Sequence, residues 1–456
     1  MAATFDLNNI QGDVFPSLPK KTQTFFFFKI VSDIDRFKQD VGRLVPHIAT
    51  GTKVQNDRSK ISEVKRSGNG GLLTVSGVNI AFSKEGLLKL GLNQNNGDKL
   101  GDSFFDNGML SDAQTLGDKG TRKADGSFVP AWEPAFASQD IDGVILVAGD
   151  CRSTVAQAIT DVKSLFGFDQ SPSVSEVLTI VGDVRPGAQD GHEHFGFEDG
   201  ISQPAIDGVD AFINPGQVTV PQGVVFCGRD GDTLARPSWA LDGSFLCFRK
   251  LAQLVPEFDN FLAQNTSIIT AGNNTLPQDQ AKELLGARLV GRWKSGAPIE
   301  LAPTADDPDL AQDKARNNNF DFSGDAGKVC PFAAHIRKTN PRSDFATAGL
   351  SDPTALTNHL FPRRGIPYGP EVTAAEADGH RTTEDRGLLF NPNPGFDPII
   401  GQNADDSDRT MTGAAVGDVG SSLNLGPFEW VVSKGGAYFF TPSIPALKEK
   451  FSTGWA

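Results

Sequence analysis

The chain has 456 residues, of which 38% are hydrophobic and 21% are charged, so it is long enough for two or three globular domains. It carries 42 Lys and Arg residues against 56 Asp and Glu residues, and the net charge of −14 disfavours nucleic acids and anionic membranes as partners because their phosphates would be repelled. No apolar run approaches the roughly 18 residues that span a bilayer.

Strands and helices are predicted to alternate along the first half of the chain. A nearly continuous aromatic and apolar run predicts a buried strand at residues 24–31. Apolar residues at helical spacing, preceded by Ser32 or Asp33 as a cap, predict a helix at 32–44. The other predicted elements of this half are a strand at 72–82, a helix at 83–91, a polar loop at 92–126, a strand at 142–149, a helix at 154–166 and a strand at 177–182.

The second half repeats this pattern without visible sequence identity to the first. Residues 296–328, rich in Asp, Pro and Asn, are predicted to form a long surface excursion. Strands mixed with helices that cover one sheet face favour an α+β fold of two similar halves, residues 1–212 and 213–456. The predicted elements of the second half are a strand at 243–250, helices at 251–264 and 278–290, strands at 386–390 and 436–440, and a terminal helix at 443–451.

Cysteine usage and processing signals bear on the class and location of the protein. The four cysteines form no CxxC pair, which excludes zinc-ribbon and thioredoxin classes, and apolar neighbours predict buried thiols at Cys227, Cys247 and Cys330. Residues near the N-terminus lack the basic and apolar regions of a signal peptide, so we expect either an intracellular protein or a mature secreted form. Glycosylation sequons at Asn265 and Asn273 favour secretion.

Residues 194–206 form the stretch around which the candidate chemistry is arranged. Gly196 and Gly200 bracket Asp199, and glycine allows the backbone to approach a neighbour closely or to adopt positive φ. An Asp-Gly step by itself is typical of a solvated turn. Two later stretches favour the alternative, in which the turn aims the Asp199 carboxylate at a functional site.

The first of these stretches places His335 in an apolar run that is followed by three cations. A lone histidine is more often a core or surface residue than a metal ligand. It makes sense as a ligand when a cofactor supplies the other ligands, as haem does when the protein provides one axial imidazole. Arg337, Lys338 and Arg342 would then neutralise haem propionates, although a solvated face explains them equally well.

The second stretch, residues 361–369, carries the adjacent pair Arg363 and Arg364 before a Gly and a Pro. A basic surface turn is one interpretation of this pair. The alternative is a buried guanidinium, which stays charged at any working pH and donates several hydrogen bonds.

Together these three stretches resemble the fungal branch of the dye-decolourising peroxidases, the DyP-type haem peroxidases. The string at 196–200 matches the GxxDG signature, the region of His335 matches the axial-ligand motif, and residues 363–369 match the distal-arginine motif. The ends of the chain, at 6–13 and 435–443, also resemble the family. The resemblance implies two ferredoxin-like halves with antiparallel sheets, in the dimeric α+β barrel superfamily, and haem b in the C-terminal half.

The resemblance also implies roles for individual residues. His335 would be the iron ligand, Asp199 the distal acid–base group, and Arg363, in preference to Arg364, the distal charge stabiliser. Leu388 and Phe390 lie two apart on a strand and therefore share a face, which by the resemblance would line the distal pocket. Arg337 would contact the cofactor, and Tyr368 would be the first candidate for a surface electron-transfer site.

The activity implied is a peroxidase that uses hydrogen peroxide, through a ferryl/porphyrin-radical intermediate, to oxidise anthraquinone and azo dyes, phenols and similar donors, with Mn(II) as a further possible donor. The protein would be a secreted monomer without nucleic-acid or membrane partners. Two alternatives remain open at this stage. One is a haem protein of the chlorite dismutase-like superfamily, which the GxxDG aspartate disfavours, and the other is a secreted protein without haem, which leaves the His335 and Arg363 stretches unexplained.

Overall fold

A computed structural model of the protein describes residues 5–68, 71, 73–95, 97–270, 276–347, 349, 357, 360–390 and 408–453. Eight of its strands form one antiparallel sheet, in the order β6-β7-β5-β8-β2-β3-β1-β4. These strands are β1 (Thr22–Ile30), β2 (Ser76–Phe82), β3 (Gly143–Gly149), β4 (Val174–Asp183), β5 (Ser244–Gln253), β6 (Ile366–Tyr368), β7 (Gly387–Phe390) and β8 (Val431–Thr441).

The sheet consists of two four-strand units with the same topology. If the strands of each unit are counted along the chain, both units have the spatial order 2-3-1-4, the arrangement of a ferredoxin-like half. The units join where Phe440 of β8 pairs with Phe82 of β2. A Cβ atom on Gly182 of β4 would lie 2.7 Å from Ile366 of β6, so the two edge strands meet and the sheet curls into a barrel. The predicted fold class is therefore confirmed.

Helices cover the outer face of the barrel and short elements fill the connections. The principal helices are α1 (Ile34–Leu44), α2 (Gly51–Arg66), α3 (Arg152–Leu165), α4 (Val255–Gln264), α5 (Gln278–Val290) and α6 (His335–Thr339). The short helices are Lys84–Lys89, Ser103–Asn107, Met109–Asp112, Pro134–Ala137, Ser267–Thr270, Pro308–Gln312, Asp344–Thr347, Ala374–Gly379 and Ile444–Ala446, and the single turns are Val45–His47, Gly187–Gln189, Gln222–Val224, Ser238–Ala240 and Leu447–Phe451. Two-strand ribbons pair Gly120–Arg122 with Phe128–Pro130, Ala205–Ile206 with Thr219–Val220, and Arg409–Thr412 with Ser422–Gly426.

The three largest apolar cores among the described residues follow from this layering. The barrel interior contains Phe25 and Phe27 of β1 and Phe248 of β5, so both halves contribute to it. The outer face of the N-terminal half packs against α1 and α3, and the outer face of the C-terminal half packs against α4 and α5. The alternation of strand residues between two apolar surfaces explains why these strands read as nearly continuous apolar runs.

Two polar segments are more structured than their composition suggests. Residues 92–126, predicted as a loop, contain two short helices and one strand of a ribbon, anchored by the buried Phe105 and Met109. The surface excursion predicted for 296–328 is confirmed only in part: residues 303–306 and 314–316 are exposed, whereas Ile299 and Phe322 are buried in the core of the C-terminal half. In both segments, isolated apolar anchors separated by Asp, Asn and Gly hold the chain against the protein without producing any periodicity.

Boundaries differ from the prediction where an apolar run continues from strand to helix. The helix predicted from residue 251 begins at Val255, because residues 251–253 extend β5 and pair with β8. A short apolar run does not distinguish a strand from a helix by itself. The sequence prediction missed α2, whose buried residues are Gly51 and Val54, and β6, a three-residue strand that contains Pro367.

Other predictions have mixed outcomes. Cys227 and Cys330 are buried as predicted, whereas Cys247 is partly exposed, and burial raises the pKa of all three thiols to about 12. The sequon at Asn273 lies outside the described residues. Among the described helices, none has the length and apolar character required to cross a bilayer. The boundary predicted near residue 212 falls in the connection between β4 and β5 and stays a prediction.

Candidate functional site

A cavity opens on the outer face of the C-terminal half, between its strands and the helices that cover them. Leu251 of β5, Leu388 of β7 and Val431 of β8 form its sheet side, and Val290 of α5 lies on its helical side. This is the layer in which the resemblance places a cofactor. The three predicted motifs converge here, because Asp199, His335 and Arg363 all line the cavity.

A tight loop after β4 presents Asp199. The backbone N–H of Asp199 donates to the Gly191 carbonyl at 2.9 Å, and the N–H of Gly200 donates to the Asp199 Oδ1 atom at 2.7 Å. Gly196 and Gly200 have φ of +94° and +81°, which explains their identity, since side chains rarely tolerate this region. A Cβ atom at either glycine would meet no neighbour closer than 3.5 Å, so positive φ rather than crowding within the protein requires glycine.

A partly buried carboxylate holds this loop in place. The two oxygens of Glu193 accept hydrogen bonds from the backbone N–H groups of Phe195 and Phe197, each at 2.8 Å. Gln253 of β5 also donates to Glu193, which ties the loop to the sheet. Burial is the main cause that raises the pKa of Glu193. Glu193 also lines the cavity. The sequence prediction overlooked it, although it lies beside the motif.

His335 is the first residue of α6. The preceding loop is organised by Asp325, whose carboxylate accepts hydrogen bonds from the N–H groups of Val329 and Cys330 at 2.6 and 3.3 Å. Gly291, which ends α5 with φ of +93°, lets α6 approach, because a Cβ atom there would lie 2.4 Å from Ile336. The close contact between α5 and α6 brings the His335 imidazole to the cavity.

Arg363 reaches the cavity from the segment before β6. Its Nη2 atom donates to the Ser202 carbonyl and its backbone N–H donates to the Gln203 Oε1 atom, both at 2.8 Å. These partners follow Asp199 by only a few residues, so the carboxylate and the guanidinium share one framework. Burial lowers the pKa of Arg363, and the nearby Asp199 acts in the opposite direction. Arg364 does not line the cavity, in agreement with the preference for Arg363.

The other predicted site residues have different environments. Leu388 lines the cavity, and the side chain of Phe390 lies outside the described residues. Tyr368 is buried, so its prediction as a surface site is wrong. Its hydroxyl donates to Asp385 at 3.0 Å, and burial is the main cause that raises its pKa far above the ordinary value. The Lys250 Nζ atom lies 4.9 Å from the centre of the ring.

The structure does not support Arg337 as a cofactor contact. Its guanidinium pairs with Asp325 at 2.5 Å and with Asp344 at 2.6 Å, and it stacks between two phenylalanine rings. Residues two apart on an α-helix differ in direction by about 200°. Arg337 therefore points away from the face of α6 that carries His335. Lys338 is exposed and does not line the cavity. Of the three cations predicted to surround a cofactor, Arg342 is the one that lines the cavity among the described residues.

Arg292 is a further cation that lines the cavity, beside Arg342 and Arg363, and the sequence prediction missed it. It is buried, and its Nη1 atom donates to the carbonyls of Gly296 and Asn317 at 2.9 and 2.8 Å. Burial lowers the pKa of Arg292 to about 9 and that of Arg342 to about 10. An arginine directly after the end of an apolar helix is a weak sequence signal. Its position at the cavity depends on the packing of α5 against α6.

The site fits a cofactor that brings most of its own metal ligands. Among the described residues, no group of three or more His, Cys, Asp or Glu side chains is placed to hold a metal ion. A metal at His335 therefore requires a group such as haem, which needs one axial imidazole from the protein. Arg292 and Arg342 suit anionic substituents such as propionates. The buried Asn340 Oδ1 atom, which has no hydrogen-bond partner among the described residues, leaves a polar atom available at the same cavity.

Comparisons with known proteins agree with this arrangement. Residues 9–186 match the family described as the DyP dimeric alpha+beta barrel domain. Peroxidase 2 of Mycetinis scorodonius is 41% identical over an alignment that covers 98% of this chain and 88% of that protein. The dye-decolorizing peroxidase AauDyP1 of Auricularia auricula-judae is 40% identical, with 99% and 88% coverage.

Solved structures extend the similarity to the whole fold. An ancestral D-type dye decolorizing peroxidase is 50% identical, with a TM-score of 0.90 and coverage of 98% of this chain and 100% of that chain. A dye-decolorizing peroxidase solved in complex with 2,6-dimethoxyphenol is 38% identical, with a TM-score of 0.84 and the same coverage. Both halves of the barrel therefore have counterparts in structures of one family.

Proposed function

The chain belongs to the dye-decolorizing peroxidase family, a family of haem enzymes, and we propose that it binds haem b through His335 and uses hydrogen peroxide to oxidise dyes, phenols and related aromatic donors. The observation that carries this proposal is the placement of Asp199, Arg363 and His335 on one cavity. The relative solved with 2,6-dimethoxyphenol supports phenols as one class of donor.

His335 would hold the iron through an imidazole nitrogen, while Arg292 and Arg342 would neutralise the propionates. When bound, haem supplies a redox-active iron that takes peroxide as a ligand. The apolar sheet side of the cavity, formed by Leu251 and Leu388, favours a flat apolar ring system and excludes water from it.

Asp199 would move the proton that peroxide cleavage requires. Its carboxylate accepts a proton from one peroxide oxygen and delivers it to the other, which leaves as water. One carboxylate oxygen, Oδ1, is held by the N–H of Gly200, so Oδ2 is the atom available to peroxide. A carboxylate stays ionised in mildly acidic solution, where an imidazole in the same role would already be protonated.

Arg363 would stabilise the negative charge that develops on the departing oxygen. Its hydrogen bonds to Ser202 and Gln203 fix the guanidinium before the reaction, so little reorganisation is needed when charge develops. Arginine stays cationic despite a lowered pKa, because its ordinary pKa is above 12. The same contacts hold the loop of Asp199, which couples the position of the base to that of the cation.

Tyr368 would serve as an internal step for electrons from donors too bulky to enter the cavity. Oxidation of a phenol releases its proton, and the hydroxyl of Tyr368 already donates to Asp385, whose side chain is half exposed. Asp385 can therefore accept that proton and pass it to solvent. This role replaces the surface site predicted from the sequence.

The test is stopped-flow kinetics of peroxide with haem-loaded Asp199→Asn and Arg363→Leu variants. Each substitution should slow the peroxide reaction by about 10²- to 10⁴-fold, while Soret absorbance and cyanide binding are retained. Asp207→Asn and Arg381→Leu, which change exposed residues, are the matched controls. Peroxide rates equal to those of the parent protein in both distal variants would rule out the proposed roles.

The two alternatives explain less of the site. A haem protein with chlorite dismutase-like chemistry gives no role to the fixed pair of Asp199 and Arg363. A secreted protein without haem leaves buried cations and one imidazole facing an apolar cavity for no purpose. Neither alternative agrees with the family to which the chain belongs.

Location, assembly and range of donors are finer parts of the proposal. We propose secretion on the basis of the sequon at Asn265, whose side chain is partly exposed, and a glycosidase-sensitive mass on a secreted sample would support it. A monomer is expected to elute at the mass of one chain in gel filtration. Oxidation of Mn(II) stays a prediction.

A further inference from the structure

A second opening of about 550 Å³ adjoins the cavity, and we call it the access channel. The two spaces share wall residues, among them Asp199, Arg363 and Leu388. Anything that occupies the access channel therefore lies next to the carboxylate and guanidinium of the proposed reaction. Its chemistry bears on which molecules come near them.

Four cationic side chains line the access channel, although the protein as a whole carries a net charge of −14. They are Lys20, Arg58 of α2, Arg363 and Arg364. Within the described ranges, none of the four lies within 4.0 Å of a carboxylate in an ion pair. Fully buried arginines elsewhere in the protein, such as Arg337 and Arg386, do form such pairs.

The donors of these cations are directed mainly to carbonyl oxygens. Lys20 donates to the Gln23 Oε1 atom at 2.8 Å and to the Arg364 carbonyl at 3.3 Å. Arg58 donates twice to the Ser17 carbonyl, at 3.1 and 2.9 Å. These bonds orient the side chains but do not neutralise their charge. The Nε atom of Arg364 is buried and has no hydrogen-bond partner among the described residues.

The four charges are also close enough to repel one another. Burial lowers the pKa of Lys20 to about 8, and the neighbouring Arg364 and Arg58 contribute to the decrease against the opposing effect of Asp13. Burial likewise lowers the pKa of Arg364 to about 10; Asp13 and Asp210 oppose the decrease, whereas Arg58 and Arg363 add to it. Like charges held together at a partly buried site are costly unless an anion offsets them.

Three carboxylates, Glu193, Asp199 and Asp210, face the same space, and each is held by backbone N–H groups. Asp210 accepts from the N–H of Ile206 at 2.7 Å, and the other two are bound within their own loop. They moderate the positive potential without pairing with the cations. Phe15 and Pro362 add flat apolar surfaces to a wall that also includes Ser17, His192, Gln203 and Gln217.

We propose that the access channel binds the carboxylate or sulfonate group of an aromatic acid, with the acid group among Lys20, Arg58 and Arg364 and the ring against Phe15 and Pro362. Paired cations recognise such oxyanions through charge-assisted hydrogen bonds. Acidic aromatic compounds would thus be concentrated beside Asp199. That the bound acid acts as an electron donor rests on the proposed function, whereas binding itself does not.

The first experiment compares three probes by calorimetric titration of the haem-loaded protein. Benzenesulfonate should bind, and benzenesulfonamide, its uncharged analogue, should bind at least about tenfold more weakly because it lacks the anionic group. Sulfate, which has the oxyanion without the aromatic ring, tests whether the access channel selects an aromatic acid or any free oxyanion. Weaker binding of sulfate supports an aromatic acid, and equally tight binding supports the anion site but assigns it to a free oxyanion.

Substitutions then locate the site. Arg58→Ala and Lys20→Gln should each weaken benzenesulfonate binding by about three- to tenfold, the usual effect of removing one charge near a partly exposed partner. Lys60→Ala is the matched control, because it removes an exposed cation from the same helix as Arg58 without lining the access channel. The Soret spectrum of each variant verifies that the haem site is intact.

Two results would overturn the proposal. One is equal binding of benzenesulfonate and benzenesulfonamide, and the other is an Arg58→Ala variant that binds benzenesulfonate as tightly as Lys60→Ala. Calorimetry keeps this test separate from the peroxidase assay. A haem-loaded protein that does not react with peroxide would contradict the proposed function but not the anion site. Absence of benzenesulfonate binding would contradict the anion site but not the proposed function.

Discussion

The N-terminal and C-terminal halves have the same strand order, but the outer faces of their sheets are occupied differently. In the N-terminal half the ring of Phe28 lies 6.0 Å from Phe37, 6.3 Å from Phe82 and 6.4 Å from Phe166, measured between centroids. In the C-terminal half the corresponding layer is open at Leu388, which lines the cavity. The same four-strand arrangement is thus covered by packed aromatic side chains in the N-terminal half and borders an open cavity in the C-terminal half.

The open layer is maintained by buried polar groups in place of rings. Asp325 binds backbone N–H groups of the loop before α6 and pairs with Arg337, and this framework carries His335. The lesson is that a packed face gives stability, whereas a site needs a face whose walls are fixed by hydrogen bonds and charge. The following predictions test this difference, from the largest expected effect to the smallest.

His335→Ala should have the largest effect, because it removes the imidazole that lines the cavity. We expect loss of the Soret band and a decrease in peroxidase activity by at least about 10³-fold, since the roles proposed for Asp199 and Arg363 depend on bound haem. His47→Ala, which changes an exposed histidine of the N-terminal half, should retain both. Full haem content in His335→Ala would show that another residue binds the iron.

Phe28→Ala tests the filled layer. Removal of a buried ring should lower the free energy of unfolding by about 3–5 kcal/mol through lost burial and a residual cavity, with haem content unchanged in the folded protein. The measurement is the urea midpoint monitored together with Soret absorbance. Phe212→Ala, at a ring with 74% exposure, should have an effect near zero. Equal midpoints for the two variants would contradict a packed outer face.

Asp325→Ala tests the polar framework of the open layer. It leaves Arg337 without its buried partner and frees backbone N–H groups before α6, so stability should decrease by about 3 kcal/mol. Unlike Phe28→Ala, this change should also accelerate haem loss to apomyoglobin, because the loop positions His335. Asp378→Ala, at an exposed position, is the control. Unchanged haem retention would show that the loop held by Asp325 does not position His335.

Glu300→Gln should have the smallest effect and a specific pH dependence. Burial, with Asp325 nearby, raises the pKa of Glu300 to about 7, and its Oε2 atom has no hydrogen-bond partner among the described residues. The folded protein therefore holds this proton more tightly than the unfolded chain does, and its contribution to stability is present at pH 4 and is lost as the pH rises through 7. Gln at position 300 cannot ionise, so the Glu300→Gln variant does not lose this stability at high pH.

We thus expect Glu300→Gln to match the parent protein near pH 4 and to be more stable by about 1 kcal/mol at pH 8, a magnitude reduced for partial exposure. Thermal unfolding at the two pH values measures the difference. Glu384→Gln, an exposed carboxylate, should show no such pH dependence. A constant offset between Glu300→Gln and the parent at both pH values would refute the assignment.

Much of the architecture was predictable from local pattern. The helix at Gln278–Val290 was predicted at its observed bounds, and β1 and β3 differ from prediction by no more than two residues at either end. Periodicity and caps report on interactions between residues close in sequence, and these interactions form in the same way wherever the element is placed. The motif of Asp199, with glycines that require positive φ, belongs to this local class.

The partners of each site residue depend on contacts between distant segments. Sequence alone determined that Asp199, His335 and Arg363 are candidates for one site, because their motifs together resemble a family. Only the tertiary structure decided that Arg337 is used in a buried ion pair and that Arg292 faces the cavity in its place. The direction of a side chain on a short helix or loop depends on which segments pack beside it, and one sequence does not record that packing.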